Sequence, residues 1–254
     1  MAESLEGLVA VVTGASSGIG RATALRLSAS GATTVLVARR HDRLAELRDE
    51  IGGQGGRCAV LPADVTDGDQ AVRVVEDTVA ALGRLDVLVN NAGVMLLGAV
   101  ADAPVEEWDR MIDLNVRALL RLTHAALPHL VRAARTAPRG VADVVNVSSI
   151  AGRAVRSGNA VYGLTKSGVG AFSESLRQEL AGRYVRVSVI EPGATETELS
   201  SHVRPEVMAA RRKAMGDVVR LAADDVADAI GYVVTRSREV ALNEVVIRPT
   251  TQVY

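Results

Sequence analysis

Short β-branched apolar runs alternate with longer stretches of helical spacing along nearly the whole chain. Residues 8–13 form an apolar run ending at Gly14, long enough for a buried strand. Residues 19–30 follow with Ala22, Leu25 and Ala29 at helical spacing, and Gly31 is placed to stop the helix. The same reading predicts strands over 34–38, 58–62, 86–90, 141–147, 185–190 and 244–247. It predicts helices over 43–51, 70–82, 105–132, 160–181 and 224–234, with Pro128 kinking or loosening the end of the longest. This alternation implies an α/β fold: a mostly parallel seven-stranded sheet, doubly wound, with helices on both faces. No linker-like shift in composition and no internal repeat divides the chain, so 1–254 reads as one domain. The glycine cluster at 52–56 lies between a helix and a strand with no helix opening after it, and reads as a flexible turn.

Composition narrows the function classes. Apolar residues make up 48% of the 254, enough for a large core and too many for a disordered chain. A net charge of −1 creates no field toward nucleic acid or anionic lipid, and 2% aromatics make a poor platform for stacking single strands. No apolar run reaches bilayer length, and the first eight residues carry two acids and no basic n-region. The expectation is a soluble, cytoplasmic protein with no membrane or nucleic-acid partner. Lone Cys58 fits a reducing compartment and reads as a small buried hydrophobe on a strand. Of 29 basic residues, only Lys166 and Lys213 are lysines, which makes their positions informative.

Thr13-Gly14-Ala15-Ser16-Ser17-Gly18-Ile19-Gly20 sits directly after the first predicted strand and opens the first helix. Glycines there allow a tight turn, close approach of the backbone to a pyrophosphate, and close helix–strand packing. The helix start then offers unpaired N–H groups to phosphate. Gly14, Ser16, Ser17, Gly18, Ile19 and Gly20 are therefore candidate dinucleotide contacts. An acid at the end of the second strand would bind a ribose 2′-OH and repel a 2′-phosphate. This chain has Arg39 and Arg40 there instead, with no acid until Asp42. A guanidinium fork suits a phosphate, so the expected cofactor is NADP(H) rather than NAD.

Ser148 and Ser149 follow the strand over 141–147, Tyr162 comes thirteen residues after Ser149, and Lys166 four after that. On a helix, this last spacing places phenol and ammonium on one face. A compact ammonium can reach a ribose and a tyrosine together, which a guanidinium would do less well. Carbonyl reduction needs a proton at oxygen, and a free phenol with a pKa near 10 exchanges it reluctantly at neutral pH. A nearby cation favours phenolate, and Ser149 can hold the substrate oxygen beside Tyr162.

Taken together, these motifs resemble the short-chain dehydrogenase/reductase family over essentially the full chain. They comprise Thr13-Gly14-x3-Gly18-x-Gly20, Asp64-Val65, Asn90-Asn91-Ala92-Gly93, Asn115, Ser149, Tyr162-x3-Lys166, and Pro192-Gly193 followed by Thr197. The resemblance implies a Rossmann fold in which Asp64 and Val65 contact the adenine end. It also implies that Asn91, Ala92 and Gly93 support the sheet beside the cofactor and that Asn115 holds a water relayed to Lys166. Thr197 would touch the nicotinamide carboxamide, with Pro192, Gly193 and Thr195 beside it. The ending 246–253 lacks the family's usual glycine-rich segment. With residues 93–98 and 191–193, it resembles the clavulanic-acid (clavaldehyde) dehydrogenases and NADP-dependent 3-hydroxy acid dehydrogenases. That implies NADPH-dependent, reversible reduction of an aldehyde or ketone, with Asn115, Ser149, Tyr162 and Lys166 as the catalytic set. A ketoacyl or polyketide ketoreductase remains an alternative, as does a catalytically silent NADP(H)-binding regulator.

Substrate-facing segments are expected at 94–100, 150–161 and 194–215, each after the carboxyl end of a strand, the last as an irregular lid. Arg153, Arg156, His202 and Arg204 are candidates for a substrate carboxylate. His41, His124, His129 and His202 lack metal-ligand spacing, Trp108 reads as packing, and the basic stretch 135–139 reads as an exposed loop. Wide apolar stripes on the helices over 105–132 and 160–181, together with the resemblance, imply a homotetramer or homodimer.

Overall fold

The structure is a computed structural model that describes residues 3–215 and 219–253. Its strands are β1 (Val9–Thr13), β2 (Thr33–Ala38), β3 (Arg57–Pro62), β4 (Val87–Asn90), β5 (Ala142–Val147), β6 (Val185–Pro192) and β7 (Glu244–Ile247). They form one sheet in the order β3-β2-β1-β4-β5-β6-β7, and every neighbouring pair is parallel, so the sheet is wholly rather than mostly parallel.

Helices α1 (Gly18–Ala29), α2 (His41–Gly53) and α8 (Ala223–Val234) cover one face, and α3 (Gly68–Leu82), α5 (Leu119–Thr136) and α6 (Ala160–Leu180) the other. The central strands are mostly apolar because successive side chains point to opposite faces, both buried under helices. Ala10, Val12, Leu36, Val89 and Val145 pack with Leu27, Leu47 and Ile230. Val9, Val11, Val35, Leu88 and Val144 pack with Val75, Leu122 and Leu176 on the opposite face. Each such valine, leucine or isoleucine contributes about 1.5–3 kcal/mol by leaving water.

The long helix expected over 105–132 is divided. Helix α4 (Val105–Ile112) passes into a π-helical turn, Asp113–Ala118, before α5 begins. The irregularity lies there and not at Pro128, through which α5 runs on to Thr136. The segment over 194–215 is also more ordered than expected, with a 3₁₀ turn at Glu198–His202 and helix α7 at Pro205–Met215. Proline at the first helical position costs α7 nothing, since that N–H has no intrahelical acceptor.

At the amino edge of the sheet, Asp143 is buried and receives both a 2.7 Å and a 3.0 Å hydrogen bond from Arg186. Burial pushes the Asp143 carboxyl up while Arg186 opposes the shift. Arg139, expected in an exposed loop, is instead buried beside this pair and donates to Glu3, Val234 O and Arg236 O. The opposite edge carries the site. Strand order reverses between β1 and β4, so their connections diverge to opposite faces and leave a crevice at the carboxyl ends.

Candidate active site

The first wall of the crevice is the β1–α1 turn. Gly14 and Gly18 take left-handed backbone (φ 68° and 52°), which a side chain would strain. A Cβ on Gly14 would meet Asn91 Nδ2 at 2.8 Å, and one on Gly18 would meet Thr197 Cγ2 at 3.0 Å. The turn is fixed by Asn91 Nδ2 donating to Thr13 O at 2.9 Å and by the N–H groups of Asn91 and Ala92 donating to Thr13 Oγ1. Ser17 precedes α1 with extended backbone and makes no side-chain cap, which leaves the first N–H groups of the helix for a ligand. Gly20 does not reach the crevice. Its role is close packing, since a Cβ there would fall 2.5 Å from Asn91 Nδ2 and 2.7 Å from the carbonyl carbon of Gly14.

The crevice encloses about 810 Å³. Gly14, Ser16, Ser17, Gly18, Ile19, Arg39, Arg40, Asp64 and Val65 line one end. Asn91, Ala92 and Gly93 form its middle, and Ser149, Tyr162, Lys166, Pro192, Gly193, Thr195 and Thr197 the other end. Arg40 Nη2 donates to Ser16 Oγ and Ser17 Oγ at 2.9 Å each, and its Nη1 lies 2.8 Å from Glu198 Oε2. Arg39 is largely exposed, 3.8 Å from Asp64 Oδ2. Glycine backbone, an open helix start, Arg40 on two serines and the exposed Arg39 form a cradle that fits a dinucleotide with an extra phosphate.

At the other end, α6 is stitched to β5. Lys166 Nζ donates to Val147 O at 2.8 Å, and Ser148 Oγ donates to Lys166 O at 2.9 Å. Burial lowers the Lys166 ammonium from 10.5 to about 8. The ammonium stands 5.9 Å from the centre of the Tyr162 ring. Burial pushes the Tyr162 phenol up, while a hydrogen bond with Ser149 and the charge of Arg211 pull it back. Asn115 stands behind the crevice wall, 2% exposed. Its Oδ1 accepts from Val94 N at 2.8 Å, and its Nδ2 donates to Val94 O at 2.9 Å and Thr165 Oγ1 at 3.2 Å.

The arginine candidates separate. Arg153 is committed to Glu191 and Glu244. Arg204 is held by Glu107 at 3.2 Å and Glu206 at 3.5 Å. Neither lines the crevice, whereas Arg156 and His202 do. Arg211, Arg220 and Gln252 also line it and were not singled out in the sequence. Arg211 lies in the run Arg211-Arg212-Lys213, which reads as a solvated surface until α7 is known to be a helix. Gln252 accepts from Ala194 N at 2.9 Å, and nothing in its local pattern signals that contact.

Residues 8–207 match the family model described as short chain dehydrogenase. An uncharacterized oxidoreductase of Staphylococcus saprophyticus is 37% identical over 248 residues, covering 96% of each chain. Among solved structures, the closed form of a serine dehydrogenase complexed with NADP+ superposes with a TM-score of 0.87 at 33% identity, covering 97% of both chains. A metagenomic short-chain oxidoreductase in complex with NADP gives a TM-score of 0.81 at 33% identity, covering 98% of this chain and 100% of that one. With the cradle and the Ser149–Tyr162–Lys166 cluster on one crevice, the chain belongs to the short-chain dehydrogenase family and is an NADP-dependent oxidoreductase acting on alcohol or carbonyl groups.

Proposed function

We propose that this protein reduces an aldehyde or ketone to an alcohol, reversibly, with Tyr162 as the proton-transfer residue. The observation that carries the reading is the shared crevice: Tyr162, Ser149 and Lys166 occupy one end and the dinucleotide cradle the other. NADPH bound in the cradle would supply hydride to the substrate carbon. Ser149 holds the substrate oxygen and Tyr162 Oη delivers the proton to it. Lys166 has three N–H donors, of which Val147 takes one, and it remains largely charged at neutral pH. Asn115 acts as a positioning residue by fixing the Gly93–Val94 backbone beside the reacting atoms. The substrate is a free small molecule in this reading, and the protein works in the cytoplasm as a homotetramer or homodimer. Exposed Leu120 on α5 and Leu164 on α6 support association through those helices; sedimentation as a monomer at micromolar concentration contradicts it.

The test follows NADPH and NADH consumption against aldehydes, ketones and oxo acids, in wild type and Tyr162→Phe. Preferential oxidation of NADPH is expected, with turnover falling about 10²–10⁴-fold in the mutant while NADPH binding persists. Undiminished turnover by Tyr162→Phe would remove the phenol from the mechanism.

A further inference from the structure

We infer that Arg211 is the specificity-determining residue of the crevice and that it binds a carboxylate on the substrate. The inference rests on the carbonyl reading above and adds the class of carbonyl compound.

Helix α7 lies across the substrate end of the crevice, and its sequence fixes which side faces inward. Val207 and Met208 pack against the cluster of Val94, Leu96, Leu97 and Tyr162. Arg211 is four residues after Val207 and three after Met208, so it emerges from the same face. Arg204, two turns before Arg211, anchors the start of α7 to Glu107 on α4. The helix is thereby held apolar face down, and Arg211 comes to line the crevice half-buried.

Two further observations say what the guanidinium meets. It lines the same crevice as Tyr162, and its charge acts on the Tyr162 phenol across it. Burial and the nearby charges of Arg156 and Arg220 push it below the usual arginine range. Arg220 is held close because the segment after β6 returns on itself. Thr195 pairs with Leu221 in a parallel bridge, with Leu221 N donating to Ala194 O at 2.9 Å. Among the described residues, no carboxylate lies within ion-pair distance of Arg211, in contrast to Arg153 and Arg204. A half-buried guanidinium with no carboxylate beside it is stabilised by an anion, and its planar fork suits a carboxylate. A substrate with its carbonyl at Tyr162 and a carboxylate a few bonds away satisfies both ends.

The experiment compares 2-, 3- and 4-oxo acids of four or five carbons, each with its methyl ester, and dihydroxyacetone phosphate, in wild type, Arg211→Gln and Arg211→Lys. For at least one acid, wild-type kcat/KM should exceed that of its ester. Arg211→Gln should reduce it roughly 30- to 100-fold, a much larger loss than for the ester, with NADPH affinity within a few-fold, and Arg211→Lys should restore part of the loss. Equal handling of acids and esters by wild type, or equal losses on both in Arg211→Gln, overturns the proposal. So does an Arg211-dependent preference for the phosphate over every acid. Should no carbonyl be turned over, the carbonyl reading fails by itself, and calorimetric titration of the acids into the NADP+-loaded protein decides this one. Binding lost in Arg211→Gln upholds it, and binding absent in wild type or unchanged in the mutant overturns it.

Discussion

Asn115 and Val94 exchange two hydrogen bonds: the side-chain amide accepts from the Val94 N–H at 2.8 Å and donates to its carbonyl at 2.9 Å. The backbone that follows β4 is thus paired as a strand would be, by one side chain from a π-helical turn. The extra residue in that turn rotates Asn115 out of the α-helical register and toward the crevice wall.

Asn115→Ala leaves both Val94 groups buried without their partner. An unsatisfied buried polar group costs about 1–3 kcal/mol, so the melting temperature should fall by several degrees. Turnover should fall with it, because Gly93 lies between Asn115 and Lys166. Calorimetry and NADPH oxidation check both effects; an unchanged melting temperature would remove Asn115 from the support of the wall.

Lys166 gives a pH signature. Burial lowers its pKa from 10.5 to about 8. Below about 8 folded and unfolded chains both hold the proton. Between about 8 and 10.5 the unfolded chain holds more, so this group's contribution to stability rises with pH across that window. Relative to Lys166→Met, which lacks the titration, wild type should gain about 3 kcal/mol between pH 7 and pH 11. Urea unfolding of both proteins at the two pH values measures it, and a constant difference would show that Lys166 is not depressed.

Arg39 and Arg40 should divide cofactor preference between them. Arg39→Asp should weaken NADPH about 10- to 100-fold and leave NADH little changed. Glu198→Gln removes the carboxylate 2.8 Å from Arg40 and should tighten NADPH several-fold without affecting NADH. Fluorescence titration with both nucleotides measures each shift; parallel changes for NADPH and NADH would mean that neither arginine meets the 2′-phosphate.

Gly20→Ala should be more damaging than its size suggests. The added methyl meets Asn91 and the Gly14 backbone, neither of which can swing away as a flexible side-chain end could. A cost of about 1–3 kcal/mol is expected from overpacking, visible as a lower melting temperature. Gly168→Ala, with nothing within 4 Å of its Cβ position, serves as the control and should be neutral or stabilising.

Much of the fold was legible because its signals are local. Strand β1, helix α1 and the turn between them follow from an apolar run, three glycines and helical spacing, each read within a few residues. Tyr162 and Lys166 were legible for the same reason, since one helical turn joins them. The π-turn at 113–118 was not, because nothing local separates an α from a π hydrogen bond when the difference is made by what Asn115 reaches across the fold. Helix α7 was hidden by its charged run. Arg153, an apparent anion site, is neutralised by Glu191 and Glu244, 38 and 91 residues away.

By itself the sequence determined the doubly wound order of elements, the dinucleotide turn and the placing of Tyr162 and Lys166 on one helix face, because periodicity, glycine placement and i,i+4 spacing act over short stretches of chain. Only the tertiary structure decided which charges are free to act. Pairing depends on neighbours brought together by the sheet, and so Arg153, Arg139 and Arg204 became structural while Arg211, four residues beyond Val207, came to line the crevice that Tyr162 also lines.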